Sequence, residues 1–499
     1  MSRTFDDSNR QIIPRWYPFK MACQLGDIEP ERAFNKPKVE SLDAFNQKVN
    51  EWREVRSIYN AIDVVGSALI MGDYLNPYSI DAAAFILSSG EPLYSLARQI
   101  AEAFNKYRNS EPENERRFLT NNLQHKLEIK SIKVFVRSYP RNAIAWSDLA
   151  YHYTLLGQKD RAQQCMEIAV SLGSENRFIL RSAARCFLHL DQPEKALFYI
   201  RRSLLSHIDP WLVSSEIAIA EGIGTKTKLV KQGQAMIYNQ DLSPWSINEL
   251  AATISTMEAR SGSVRKSKKL LVQALQWPNE NTMAQAEWLA PGLGKELIRP
   301  QKQILAPYEA DSRRSFREGD FDEALKQTKD WFRFQPFTSR PAILASYIAA
   351  VCCQNDMEAI EIIEKAKTTS PESFLLHNNH AFSLASLGRL EEASEILDRV
   401  NKSTLTDIYK NTLAATIGLL EFRKDNFSEG RRLYKTAITG FKNLNEYPSA
   451  AIASFFLARE ENRIHSEFGN VALDEAKSLA EKYGVKEIVK YAKKLGSSK

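Results

Sequence analysis

The stretch AWSDLAYHYTLLGQKDRAQQCMEIAV, residues 145–170, decides the fold. Trp146, Leu149, Ala150 and Tyr153 recur at steps of three and four, so they share one face of a helix. GQKD at 157–160 interrupts that pattern and turns the chain. Ala162, Met166 and Ala169 then line one face of a second helix. Two antiparallel helices joined this tightly cross closely, and their axes approach to about 8–10 Å only where the crossing side chains are small. Ala150 and Ala162 are assigned to that crossing.

A shift of 34 residues repeats the pattern, with Leu180, Ala183, Ala184 and Phe187 in the first helix and Ala196, Ile200 and Ser203 in the second. Pro140 precedes the first unit and Pro210 closes the second. Further units run through Ala251, Ile254, Ser255, Ser267, Leu271 and Ala274, through 317–336, through 374–400, and through 413–438, where Gly430 stands in place of alanine. Residues 339–370 fit in phase, but their small residues are displaced. In period and pattern the chain resembles the tetratricopeptide repeat. The resemblance implies an all-α fold, a right-handed superhelical solenoid of tetratricopeptide-like helical hairpins with helical N- and C-terminal caps. It also implies a concave wall lined by the first helix of each pair, and a protein partner held in that groove.

The expected organisation is an extended segment at 1–40, a helical cap at 41–110, the repeat array at 111–445 and C-terminal helices at 446–499. Glycines and prolines at 221–245 and 291–307 read as irregular repeats or breaks in the superhelix. Residues 41–70 carry Phe45, Val49, Trp52, Val55, Ile62, Val65 and Leu69, the stripe of one long amphipathic helix with Ser41 as its N-cap. A solenoid needs such atypical ends to cover its open core. A second reading treats 82–104 as a helix-turn-helix in a ligand-sensing regulator. Against it, Leu93, Tyr94, Ser95 and Leu96 stand where a base-reading helix presents polar groups.

Hydrophobic residues make up 43% and charged residues 26%, a balance that fits a core-forming chain. The net charge of +6 is mild for 499 residues and below that expected of a dedicated nucleic-acid binder. Five cysteines, with no CxxC, suit a reduced cytoplasmic protein. The start carries no signal-peptide pattern, and the longest uncharged run, 341–355, is too short to span a bilayer, so no membrane role is expected.

Chemistry is sparse. His377 and His380 are three apart on one helix, but a third metal ligand is missing nearby. Adjacent Cys352 and Cys353 read as buried hydrophobes. P-loop, GxGxxG, GxSxG and HExxH motifs do not occur. No enzymatic activity, cofactor or metal is expected.

Three surfaces are candidates for binding. Arg181, Arg185 and His189 recur at i, i+4 and i+8, a basic stripe on the expected concave wall, with Tyr151 on the equivalent face of the preceding unit. They suit an acidic segment of a protein partner; the plain alternative is that the arginines pair with neighbouring acids. Arg265, Lys266, Lys268 and Lys269, with Lys226, Lys228 and Lys231 upstream, form a patch that suits nucleic-acid phosphates or simply a solvated face. Trp16, Tyr17 and Phe19, in NRQIIPRWYPF at 9–19, sit among prolines that hold the chain extended. Aromatics at that density need cover, either as a strap on the chain's own helices or as a docking peptide for another subunit. The expected function is a scaffold or adaptor that assembles a multiprotein complex through its groove.

Overall fold

The computed structural model describes residues 10–24, 42–71, 76–89, 98, 101–102, 122–239, 241–293, 304 and 306–489. Among these residues every regular element is a helix. The chain forms two compact units, Ser2–Pro307 and Tyr308–Lys499. The division falls at the end of the proline- and glycine-rich stretch 291–307.

The first unit opens with α1 (Phe19–Gln24), α2 (Leu42–Glu54), α3 (Ile58–Met71), α4 (Pro77–Ser88) and α5 (Asn122–Ser138). Four hairpins follow: α6 (Ala143–Leu155) with α7 (Lys159–Leu172), α8 (Arg177–His189) with α9 (Pro193–Arg202), α10 (Pro210–Gly222) with α11 (Val230–Ile237), and α12 (Pro244–Arg260) with α13 (Val264–Ala274). Helix α14 (Glu280–Leu293) ends the series.

Local chemistry sets this spacing. Asn142, Asn176, Asp209 and Ser243 occupy the same phase of successive repeats, and each accepts a hydrogen bond from a backbone N–H in the first turn of α6, α8, α10 or α12. Asn279 does the same for α14, accepting from the Thr282 N–H at 2.9 Å. The turn inside each hairpin has one residue with left-handed backbone, Gly157, Asp191, Gly224 and Gly262 in order. Ala150, Ala162 and Met166 are fully buried between α6 and α7, as the opening stretch predicts.

Residues 221–245 hold the turn and the short second helix of the α10–α11 hairpin, the irregular-repeat alternative of the two sequence readings. Gly224 makes the hairpin turn at φ 70°. Gly233 packs so tightly that a Cβ there would lie 3.1 Å from Leu250 Cδ1 and 3.2 Å from Ile254 Cδ1. The single helix expected over 41–70 is two, because Ser57 caps a new start by accepting from the Asn60 N–H, while the Asn60 amide donates to the Val55 carbonyl at 2.9 Å. Helices α2, α3 and α4 share a core of Phe45, Trp52, Val64, Val65, Ala82 and Ile86. Most of the expected second helix of the helix-turn-helix, Leu93 to Leu96 included, lies outside the described residues, as do Ser41, Gly294 and Pro300.

The second unit stacks α15 (Tyr308–Glu318) with α16 (Phe321–Phe334), α17 (Ser339–Tyr347) with α18 (Asp356–Lys367), α19 (Phe374–Ser386) with α20 (Leu390–Asp398), α21 (Asp407–Arg423) with α22 (Phe427–Asn443), and α23 (Tyr447–Arg463) with α24 (Phe468–Tyr483). A π-helical turn at Ile348–Cys352 extends α17. After α24 the chain folds back on the first two hairpins. Lys486 Nζ donates to the Glu318 carbonyl at 2.9 Å, Tyr347 Oη donates to Glu487 Oε1 at 2.9 Å, and Ile488 is fully buried.

Gly430 has a steric reason. It faces Gly418 across the α21–α22 crossing, and a Cβ on it would lie 2.6 Å from Phe422 Cδ2 and 2.9 Å from the Gly418 carbonyl oxygen. Gly430→Ala is therefore expected to destabilise the second unit by about 1–3 kcal/mol, although alanine gains about 1 kcal/mol of helix propensity over glycine. Chemical denaturation of the variant checks this; a stabilised protein would mean that the crossing has room.

Candidate functional site: an extended segment on the first-helix wall

Residues 10–18 form no regular element, yet they are among the most deeply covered residues of the first unit: Trp16 is 0% exposed, and Arg10 and Ile12 are each 1% exposed. The segment crosses the first helices of the hairpins. At its start the Arg10 guanidinium donates to Gln285 Oε1 and, at 3.1 Å, to Asn281 Oδ1 on α14. Gln285 Nε2 donates back to the Arg10 carbonyl at 3.2 Å, and Asn281 Nδ2 donates to the Ile13 carbonyl at 2.9 Å. Arg260 of α12 approaches the Arg10 carbonyl at 3.5 Å.

Ile12 enters the apolar cluster of Val213, Ile217, Leu250 and Ile254. Arg15 makes a two-pronged pair with Glu280, at 2.6 and 3.0 Å. Trp16 meets Tyr151 of α6 edge-on with ring centroids 5.3 Å apart, and Phe19 meets Phe178 of α8 in the same way at 5.3 Å. The Phe19 N–H donates to Asp148 Oδ1 of α6 at 2.9 Å. Burial pushes the Asp148 carboxyl up to about 7, partly countered by that hydrogen bond. The segment thus runs from α14 back to α6, against the order of the repeats.

A buried ion pair lies beneath it. Arg181 of α8 donates to both oxygens of Glu249 on α12, at 2.7 and 3.0 Å. Asn279 and Asn281 donate to Glu249 Oε1 at 2.8 and 3.3 Å. Burial pushes the Glu249 carboxyl up, but the Arg181 charge and these hydrogen bonds more than offset it and hold it below the usual carboxylate range. The Arg181 guanidinium also lies 4.2 Å over Trp211, which stacks on Trp245. Asn281 joins the two layers, bonding Glu249 below and the Ile13 carbonyl above.

The residues singled out from sequence therefore divide. Trp16, Tyr17 and Phe19 lie on the chain's own helices. Tyr151 is covered by Trp16. Arg181 is 6% exposed and bound to Glu249, so it does not continue a solvent-facing stripe with Arg185 and His189, which are both partly buried. Burial lowers the His189 imidazole to about 3, helped by the charges of Arg185 and Lys159. Arg265, Lys266 and Lys269 are exposed and Lys268 is half-buried, all on α13, a second helix, whereas the segment lies on first helices. Lys266 pairs with Glu258 at 2.5 Å, and Lys269 lies over the Tyr238 ring at 5.7 Å. His380 Nε2 faces Glu364 at 3.3 Å. Sequence reasoning missed Asp148, Glu249, Asn279, Glu280, Asn281 and Gln285. The available signal was polar residues at positions where a first helix should present an apolar or small face.

No family model and no curated protein matches the chain. Solved structures align along most of it at low similarity. The Cut9–Hcn1 hetero-tetramer of APC/C is 12% identical over 90% of this chain and 92% of that one, at a TM-score of 0.34. Yeast Tom70 is 13% identical over 88% and 95%, at 0.26. A human IFIT1 dimer with PPP-AAAA is 14% identical over 95% and 99%, at 0.28. Along the first unit the chain's own hairpins recur every 33–36 residues, so the described residues there form an all-α array of helical hairpins with tetratricopeptide-like spacing.

Proposed function

We propose that the chain is a non-enzymatic scaffold that holds an extended segment of a partner protein on the first-helix wall between α6 and α14, and so assembles a multiprotein complex. One observation carries this reading: wall side chains grip the main chain of residues 10–19. Main-chain hydrogen bonds give affinity to any extended occupant, while side-chain pockets filter its sequence. The Arg10 and Ile13 carbonyls and the Phe19 N–H are all held this way. Cytoplasmic location belongs to the same proposal, since the unpaired thiols of Cys165 and Cys186 suit a reducing compartment.

The cations of α13 support nucleic-acid contact less well. A strand-tracking site needs a charged groove with stacking aromatics. Here the cations share one helix, and Lys266 is given to Glu258.

The test places a photo-crosslinking residue at Gln285 in the full chain and irradiates it in the native host. The expected product, in low yield while residues 10–19 hold the wall, joins position 285 to an extended segment of another protein. Charge-reversed Arg15→Glu should raise its yield, because that substitution weakens the resident segment. Crosslinks confined to residues 10–13 in both proteins would overturn the reading.

A further inference from the structure

We propose that this wall selects a basic, aromatic segment of the form arginine, any residue, two aliphatics, proline, arginine, aromatic, and that residues 10–19 are its resident competitor. The proposal rests on the scaffold reading above and adds the chemistry of the occupant.

The wall's charges set the preference. Glu280, with its side chain 13% exposed, meets Arg15. Glu249 is already neutralised by Arg181, so the second acid beneath the segment does not ask for another cation. Asn281 and Gln285 meet Arg10 as neutral acceptors, and the same amides turn their N–H groups to the carbonyls of the segment. Asp148 takes a main-chain N–H. An acidic residue at position 15 would face Glu280 across a covered contact, and like charges so placed disfavour that occupant. The acidic partner expected from the arginine stripe is therefore replaced by a basic one. Position 12 asks for an aliphatic side chain that reaches Val213 and Ile217, and position 16 for an aromatic that reaches Tyr151.

Competition follows from identity of contacts. An incoming segment must take the same carbonyl grips and the same Glu280. A tethered segment acts at an effective concentration on the order of millimolar, so a free peptide is excluded until the tether is cut or the resident is weakened.

The experiment uses the full chain with a specific protease site replacing residues 31–36, between the segment and α2. After cleavage, a fluorescent peptide of residues 9–20, NRQIIPRWYPFK, is added, and in parallel a form with both arginines changed to glutamate. The expected result is exchange of the native peptide into the cleaved protein, at least about tenfold weaker binding of the charge-reversed peptide, and little binding of either to uncleaved protein. Glu280→Gln should remove much of the discrimination. Equal or tighter binding of the acidic peptide overturns the chemistry and leaves the scaffold reading standing. If neither peptide enters after cleavage, anisotropy of a label on the cleaved segment decides: a segment that never leaves is a permanent strut, which overturns exchange, and a segment that leaves with no peptide able to replace it overturns the groove itself.

Discussion

Arg181→Met is expected to destabilise the first unit by about 3–5 kcal/mol, because it strands a charge without its partner. Glu249 is 0% exposed and takes both of its strongest hydrogen bonds from this arginine. Asn279 and Asn281 remain, but neutral amides cannot replace a guanidinium. The double variant Arg181→Met/Glu249→Gln should recover much of the loss, since no carboxylate is then left behind. The two single-site effects are therefore strongly non-additive. The pH dependence should also change sign. In the native protein Glu249 is held below its unfolded value, so its contribution is full above the unfolded pKa and is lost as pH falls through the folded one. In Arg181→Met burial acts unopposed by that charge, the folded carboxyl rises above its unfolded value, and the defect shrinks on acidification. Urea denaturation of the first-unit transition from pH 4 to 7 reads all of this. A loss below about 1 kcal/mol at pH 7 would mean that the pair is effectively solvated.

Ala150→Arg is expected to cost more than about 4 kcal/mol and to open the α6–α7 hairpin to proteases. Ala150 has no exposed surface and neither does Ala162. A long cationic side chain has no route to water from that position without separating the helices. Separation would also move Asp148 and Tyr151, which flank it on α6 and hold Phe19 and Trp16. The variant should thus release the N-terminal segment along with the hairpin. Limited proteolysis with identification of the first cut sites checks both effects. Ala150→Gly, which removes volume rather than adding it, should cost only about 1 kcal/mol. An unchanged melting profile for Ala150→Arg would refute the placement of Ala150 at the crossing.

The hairpins were legible because they rest on local chemistry. Ala150, Ala162, Ala183 and Ala184 announce the crossings, and the turn at GQKD announces the reversal. The N-caps were equally visible in principle, since Asn142, Asn176, Asp209, Ser243 and Asn279 hold one phase, but a search for apolar periodicity passes over them. The wall's pairings were not legible. Arg181 sits on the face that the repeat pattern assigns to the concave wall, yet its partner Glu249 lies 68 residues further along the chain. Arg15 finds Glu280 at a separation of 265 residues. Such pairings depend on how first helices line up side by side and on what lies over them. Neither is encoded in any single repeat. Gly233 shows the opposite error: a glycine that punctuates a sequence can equally mark the closest contact between two helices.

The fold-back of the last turn in the second unit changes how that unit should come apart. Stacked repeats ordinarily melt inward from whichever terminus is weakest, each unit answering only to its neighbours. Here Glu318 and Tyr347 hold Lys486 and Glu487 just past α24, so the last hairpin cannot fray without also disturbing the first two. Closing the stack this way couples its two extremities and favours unfolding in one step over peeling.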